Sequence, residues 1–283
     1  MRQFSPAGAL FGTMLALPFM ITPGAAEAAD AQPMLRVCTS SVNAPFSQPD
    51  GSGFEDRIAT AVAHAMGREV EFVVSNKPAI YAVRDQLDKN ACDVVVGIDA
   101  GDPRVLTTQP IYRGGYVFLT RADGNLDLQS FDDPRLRQAK PIAMSFHSPA
   151  EAPLEKIGVY DDNIAYLYSL VGFRSPRNQY VDVAPEKIVS EVAEGHATLG
   201  IAFEPEVARY VKASPVRLRM TLIDDTATRS DGQKVPQRYD QTMGVRVSDT
   251  VLRDQLNAAI AKAAPQIAAI IKDEGFSSLP PNS

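Results

Sequence analysis

This chain is poor in the residues that hold metals and carry nucleophilic chemistry. Its 283 residues include three histidines, His64, His147 and His196, and two cysteines, Cys38 and Cys92. They form no Cys-x-x-Cys-His and no His/Cys cluster, so neither haem nor a bound metal is expected, and no cofactor is assigned. Gly-x-Ser-x-Gly, a Walker loop and a dinucleotide fingerprint are missing, and Gly97-x-x-x-Gly101 has neither the lysine nor the spacing for phosphate. No catalytic constellation is visible. Basic charge is scattered: the formal net charge is −6 and Lys and Arg form no run, which speaks against nucleic acid and anionic lipid as partners. Beyond the N-terminus no segment approaches the roughly 20 apolar residues that span a bilayer.

What is present begins with an export signal. Arg2 supplies a positive start, Leu10 to Ile21 is mostly apolar, and Ala26-Glu27-Ala28 has the small-x-small form of a cleavage site. Pro18 and Pro23-Gly24 break the apolar stretch, which favours cleavage of residues 1–28 over retention. Arg2 and Glu27 cancel, so the mature chain keeps its acidic balance and is expected in the periplasm. In that oxidising setting the pair Cys38 and Cys92 predicts a disulfide, with two buried free thiols as the alternative.

The most informative stretch runs from Cys92 to Arg121. Asp93 to Ile98 is a short apolar run closed by Gly97, Gly101 and Pro103, the pattern of a parallel strand covered on both faces. A ligand-side loop carrying Arg104 should follow its carboxyl end. Tyr116 to Thr120 is extended again, after which the βα pattern restarts.

Before it, Leu35 to Cys38 and Val70 to Val74 read as strands around a helix with Phe54, Ile58, Ala61, Val62, Ala65 and Met66 at helical spacing. Ser52-Gly53-Phe54-Glu55 reads as its capping box. Ala79 to Leu87 is expected as a helix. After it, Pro141 to Phe146 and Thr198 to Phe203 read as strands, with helices over Glu151 to Ile157, from Pro185 to Gly195, and from Glu204. Asn163 to Leu170 fits helix or strand. Val216 to Ile223 reads as a return crossing, Asp224 to Gln237 as an exposed excursion, Tyr239 to Val247 as a strand, and Val251 onward as a helix that Pro265 restarts. A chain that leaves one α/β lobe, builds a second and returns has two linkers and a cleft. The expected lobes are 29–120 with 217–283, and 121–216.

Several residues are candidates for the cleft. Arg104 could hold a carboxylate by two parallel bonds, or could brace its own loop against Asp99 and Asp102. Phe46, Tyr81, Tyr112 and Tyr116 line the cleft or belong to the core. His147 follows a lobe-two strand; Phe203 and Glu204 end the next one, where an acidic first turn also suits the helix dipole.

These residues resemble the type II periplasmic solute-binding proteins of amino-acid uptake, in which Arg104 would hold the ligand carboxylate. Asp99 and Ala100 stand where those proteins carry hydroxyl residues, and Phe203-Glu204 where they carry the Asp for the ligand amine. The chain is more similar still to the J component of methanol oxidation systems. The resemblance is carried by Leu35-Arg36-Val37-Cys38, Asp50-Gly51-Ser52-Gly53-Phe54-Glu55, Cys92-Asp93-Val94-Val95-Val96-Gly97, Leu106-Thr107-Thr108-Gln109-Pro110, Tyr112-Arg113-Gly114-Gly115-Tyr116-Val117-Phe118 and Tyr239-Asp240-Gln241-Thr242-Met243-Gly244-Val245-Arg246. Phe203-Glu204-Pro205 replaces a frequent Trp-Gly-Pro. The resemblance implies a two-lobed α/β type II periplasmic-binding-protein fold and a non-enzymatic accessory of a periplasmic, pyrroloquinoline-quinone-dependent methanol dehydrogenase. Uptake of a small carboxylate is the second reading. A periplasmic dehydratase using Glu204 or His147 as proton donor is the third.

Overall fold

The computed structural model describes residues 1, 3, 34–171 and 182–280. The export signal expected over 1–28 lies outside the described residues, apart from residues 1 and 3. The described residues from 34 onward form one compact unit. Its sheet carries nine strands: β1 (Leu35–Ser40), β2 (Val70–Ser75), β3 (Val94–Asp99), β4 (Leu106–Thr107), β5 (Tyr112–Arg121), β6 (Ile142–Met144), β7 (Leu199–Phe203), β8 (Leu218–Leu222) and β9 (Arg238–Val245). The order is β2-β1-β3-β9-β5-β7-β6, with β4 on β9 and β8 on β5. β2, β1 and β3 are parallel, and β9 runs antiparallel between β3 and β5.

β5 is the strand that decides the architecture. Residues 112–115 pair with β9, whereas 116–119 pair with β7 and 117–121 with β8. One continuous strand thus serves both halves of the sheet. Gly114 and Gly115 sit at the handover. A Cβ on Gly114 would overlap the Phe203 ring and come within 2.8 Å of Pro205 Cγ, and one on Gly115 would come within 2.5 Å of Leu222. The double glycine therefore lets Phe203 and Pro205 press on one face of the strand and Leu222 on the other.

The first half is built around α1 (Phe54–Ala65) and α6 (Thr250–Glu274), which pack together over β1, β3 and β9. Phe54, Ile58 and Val62 from α1 meet Leu256, Ile260 and Ile267 from α6, all buried. Burying each such side chain contributes about 1.5–3 kcal/mol. The Cys38–Cys92 disulfide is formed, with a Cα–Cα distance of 5.4 Å. It joins β1 to the start of β3 inside a small apolar cluster with Val83, Leu87 and Val95. The second half packs α2 (Glu151–Lys156), α3 (Tyr160–Leu170), α4 (Pro185–Ala193) and α5 (Glu204–Ala213) around β5, β6 and β7. An ion network ties α5 to the first half. The Glu274 carboxylate, 5 % exposed, accepts from Arg209 on α5 at 2.7 and 2.9 Å and from Arg57 on α1. The tail adds a second tie, with Leu279 N donating to Arg113 O and Arg113 N to Ser278 Oγ, both at 2.9 Å.

Three local expectations change and one open alternative is resolved. The capping box does not form: Gly53 is the N-cap, and the first amides of α1 donate to the Pro45 and Phe46 carbonyls instead. Ser52 is left to an Asp50 turn, and Glu55 is turned into the interior. Ala79 to Leu87 is not an α-helix but a 3-10 turn, Ala79–Tyr81, followed by a π turn, Val83–Leu87. α6 runs unbroken through Pro265, because Ala263, Ile267 and Ile271 on its buried face hold both sides of the proline against the core. The ambiguous segment around 163–170 is helical, and Asn163 bonds both ends of the Ile142 peptide.

Candidate functional site

The carboxyl end of β3 opens into a cleft of about 460 Å³. β3 and β9 shift register between Val96 and Ile98, and Gly97 at this bulge has φ +73°. The bulge faces Glu55. Both carboxylate oxygens of Glu55 stand where a Gly97 Cβ would be, so only glycine leaves room for them. Tyr112 OH donates to Glu55 Oε1 at 2.6 Å, and the residue is 5 % exposed. Burial pushes its pKa up to about 7, although the Tyr112 hydrogen bond opposes the shift. The phenol of Tyr112 is in turn driven well above its ordinary value by burial and by Glu55.

Of the residues singled out in the sequence, Phe46, Asp99, Arg104, Tyr116 and Phe203 all line this cleft. Phe46 comes from the loop before α1, Asp99 and Arg104 from β3 and its loop, Tyr116 from β5 and Phe203 from the end of β7. Tyr116 and Phe203 are register partners with ring centroids 5.6 Å apart, and Tyr239 from β9 completes the group at 6.2 and 6.4 Å. Tyr239 and Gln241 were not singled out for the cleft by sequence; both line it, and Gln241 Nε2 donates to Asp99 Oδ1 at 2.6 Å.

Arg104 is half exposed and its grip is taken. Its Nε donates to Asp102 at 3.0 and 3.2 Å and its Nη2 at 2.6 Å, the side-on geometry with which an arginine would hold a ligand carboxylate. The guanidinium holds the Asp102 carboxyl below its usual range. The loop-bracing alternative is therefore the arrangement observed.

Other candidates lie elsewhere. His147 is 82 % exposed, 3.9 Å from Glu151, and lines a separate hollow with Arg229 and Asp231. Glu204 starts α5 next to Phe203 but does not line the cleft; burial raises its carboxyl to about 7. Tyr112 is a core residue, and Tyr81 lies beside the cleft with the Arg84 guanidinium 4.6 Å above its ring. Among the described residues no group of three or more His, Cys, Asp or Glu could hold a metal, and no helix is long and apolar enough to cross a membrane.

A family model for bacterial extracellular solute-binding proteins, family 3, matches residues 35–272, which include every strand and the cleft described above. The chain belongs to that family. It is 55 % identical over 260 residues to Protein MoxJ of Methylorubrum extorquens, covering 92 % of this chain and 86 % of that one. To Protein MoxJ of Paracoccus denitrificans it is 43 % identical, over 91 % of this chain and 95 % of that one. The crystal structure of MxaJ from Methlophaga aminisulfidivorans superposes with a TM-score of 0.82 at 43 % identity, covering 87 % of this chain and all of the other. The resemblance to the J components thus extends across nearly the whole family 3 domain, and the fold is the two-lobed α/β architecture of type II periplasmic binding proteins.

Proposed function

We propose that this family 3 protein is a periplasmic, non-enzymatic accessory that assists maturation or activation of a pyrroloquinoline-quinone-dependent methanol dehydrogenase through its interlobe cleft. Likeness to MoxJ proteins over 92 % of the chain supports the methanol-oxidation setting. The observation that carries the departure from solute uptake is Arg104: its carboxylate-binding edge is occupied by Asp102 of the same loop. A cleft without a free arginine fork is poorly suited to a zwitterion and leaves the site for a segment of another protein. In this reading 29–120 with 217–283 form lobe one, 121–216 form lobe two, and β5 is one of the crossings. Phe46, Asp99, Tyr116 and Phe203 supply the gripping surface, with Arg104 bracing its loop and Glu204 and His147 at the rim of lobe two.

Isothermal titration of the mature protein against purified apo and holo dehydrogenase tests this, with heat expected from at least one form. Absence of heat from both would overturn it. The family membership favours one other reading, delivery of a small solute to a transporter. A solute at 100 times its dissociation constant adds about 2.7 kcal/mol of stability, so a large thermal shift with a single free metabolite would favour it.

A further inference from the structure

The cleft holds more negative charge than its own residues neutralise. Four ionisable side chains of aspartate, glutamate and arginine line it: Glu55, Asp99, Asp102 and Arg104. Arg104 and Asp102 satisfy each other. Asp99 is exposed, and among the described residues its carboxylate receives only the neutral amide of Gln241. Glu55 is pinned by Tyr112 through one oxygen, and among the described residues nothing donates to its second oxygen, Oε2. Glu55 is nonetheless only 5 % exposed and lines the cleft, its carboxyl lying in the space that Gly97 leaves. The same cleft is lined by the rings of Phe46, Tyr116, Phe203 and Tyr239.

Aromatic faces attract cations by their quadrupole, more strongly where water is excluded, and a carboxylate at the same site adds direct ion pairing. The combination repels carboxylates and is wasted on neutral solutes. We propose that the cleft is a receptor for one cationic group, a guanidinium or ammonium, seated between the Tyr116, Phe203 and Tyr239 rings and the Asp99 and Glu55 carboxyls. Taken with the accessory role proposed above, on which this identification of the occupant rests, that group is an arginine or lysine side chain of the dehydrogenase segment. Burial keeps Glu55 only partly ionised near neutral pH in the empty cleft, and an arriving cation supplies the counter-charge that ionises it fully.

Isothermal titration of the mature protein with N-acetyl-arginine methylamide, against its neutral isostere N-acetyl-citrulline methylamide and against N-acetyl-glutamate, tests the chemistry. The arginine probe is expected to bind at least about tenfold more tightly than the citrulline probe. Asp99→Asn and Glu55→Gln should each weaken it several-fold, while Arg104→Gln, which frees Asp102, should leave it equal or tighter. Equal binding of arginine and citrulline probes, no heat from the arginine probe at millimolar concentration, or binding of the glutamate probe that Arg104→Gln abolishes would overturn the proposal. The same variants titrated with the dehydrogenase separate the two levels. A partner that binds wild type and Asp99→Asn alike leaves the accessory role standing and refutes the cation as its anchor. An arginine probe that binds while the dehydrogenase does not keeps the cation site, with a free cationic solute as its occupant, and refutes the accessory role.

Discussion

The buried acid beneath Gly97 makes folding stability depend on pH in a defined direction. Glu55 is raised from an ordinary value of 4.5 to about 7. Below pH 4.5 it is protonated in both folded and unfolded chains and contributes no pH dependence. Between 4.5 and 7 the unfolded chain releases the proton while the folded chain keeps it, so stability falls as pH rises; above 7 both are ionised and the loss is complete. At 1.36 kcal/mol for each unit, the interval corresponds to about 3 kcal/mol. Burial likewise raises Asp56 to about 6, Glu204 to about 7 and Glu206 to about 8, so these groups slope the same way, whereas carboxyls held low by a neighbouring arginine, such as Asp102, slope the opposite way in acid. The difference between wild type and Glu55→Gln isolates one group. Glutamine can still accept from Tyr112, fills the same space and does not ionise. Urea unfolding at half-unit steps from about pH 4 to 8 should show the variant gaining on wild type by up to about 3 kcal/mol, with the change concentrated between 4.5 and 7. Parallel curves for the two proteins would show that Glu55 is not held in a water-poor site and would remove the support it lends to the cleft chemistry.

Three further outcomes follow from the packing. The disulfide closes a span of 54 residues, so replacing Cys38 and Cys92 by alanine should cost up to about 4 kcal/mol in urea unfolding compared with the oxidised protein. Gly114→Ala places a methyl group against Phe203 and Pro205 and should lower stability by about 1–3 kcal/mol, read as a shifted urea midpoint. Glu274→Gln leaves Arg57 and Arg209, each roughly one-third exposed, without their shared counter-ion; a loss of about 1–3 kcal/mol is expected by chemical denaturation, and no loss would mean that water replaces the carboxylate.

The regular elements were legible because their signals are local. β3 is a short apolar run ended by turn residues, β7 is one that passes straight into the acidic first turn of α5, and α4 starts at Pro185 and stops before Gly195. The features that failed are those decided from a distance. Ser52 and Glu55 have the spacing of a capping box, but the loop carbonyls of Pro45 and Phe46 reach the helix amides first, which frees Glu55 for Tyr112, 57 positions away. Pro265 would break or kink an isolated helix, yet with α6 packed on α1 the helix continues through it. For the site, Arg104, Asp99, Phe46, Tyr116 and Phe203 could be named from their places at strand ends and loops. Tyr239 and Gln241 could not, because β9 enters the sheet beside β3 only through the long return of the chain. One signal for Glu55 was present in the sequence: Gly97 inside a strand marks a bulge or a close approach, and the approaching group is the carboxyl of α1.

β5 hands its pairing from β9 to β7 between Gly115 and Tyr116, and the first ring past the handover is also a wall of the cleft. Tyr116 stands at the handover itself, and Phe203, its register partner on β7, reaches back over Gly114. The strand that joins the halves and the wall of the cleft are therefore built from the same few residues. A group lodged beside Tyr116 would touch that joint directly, with no relay of intervening residues.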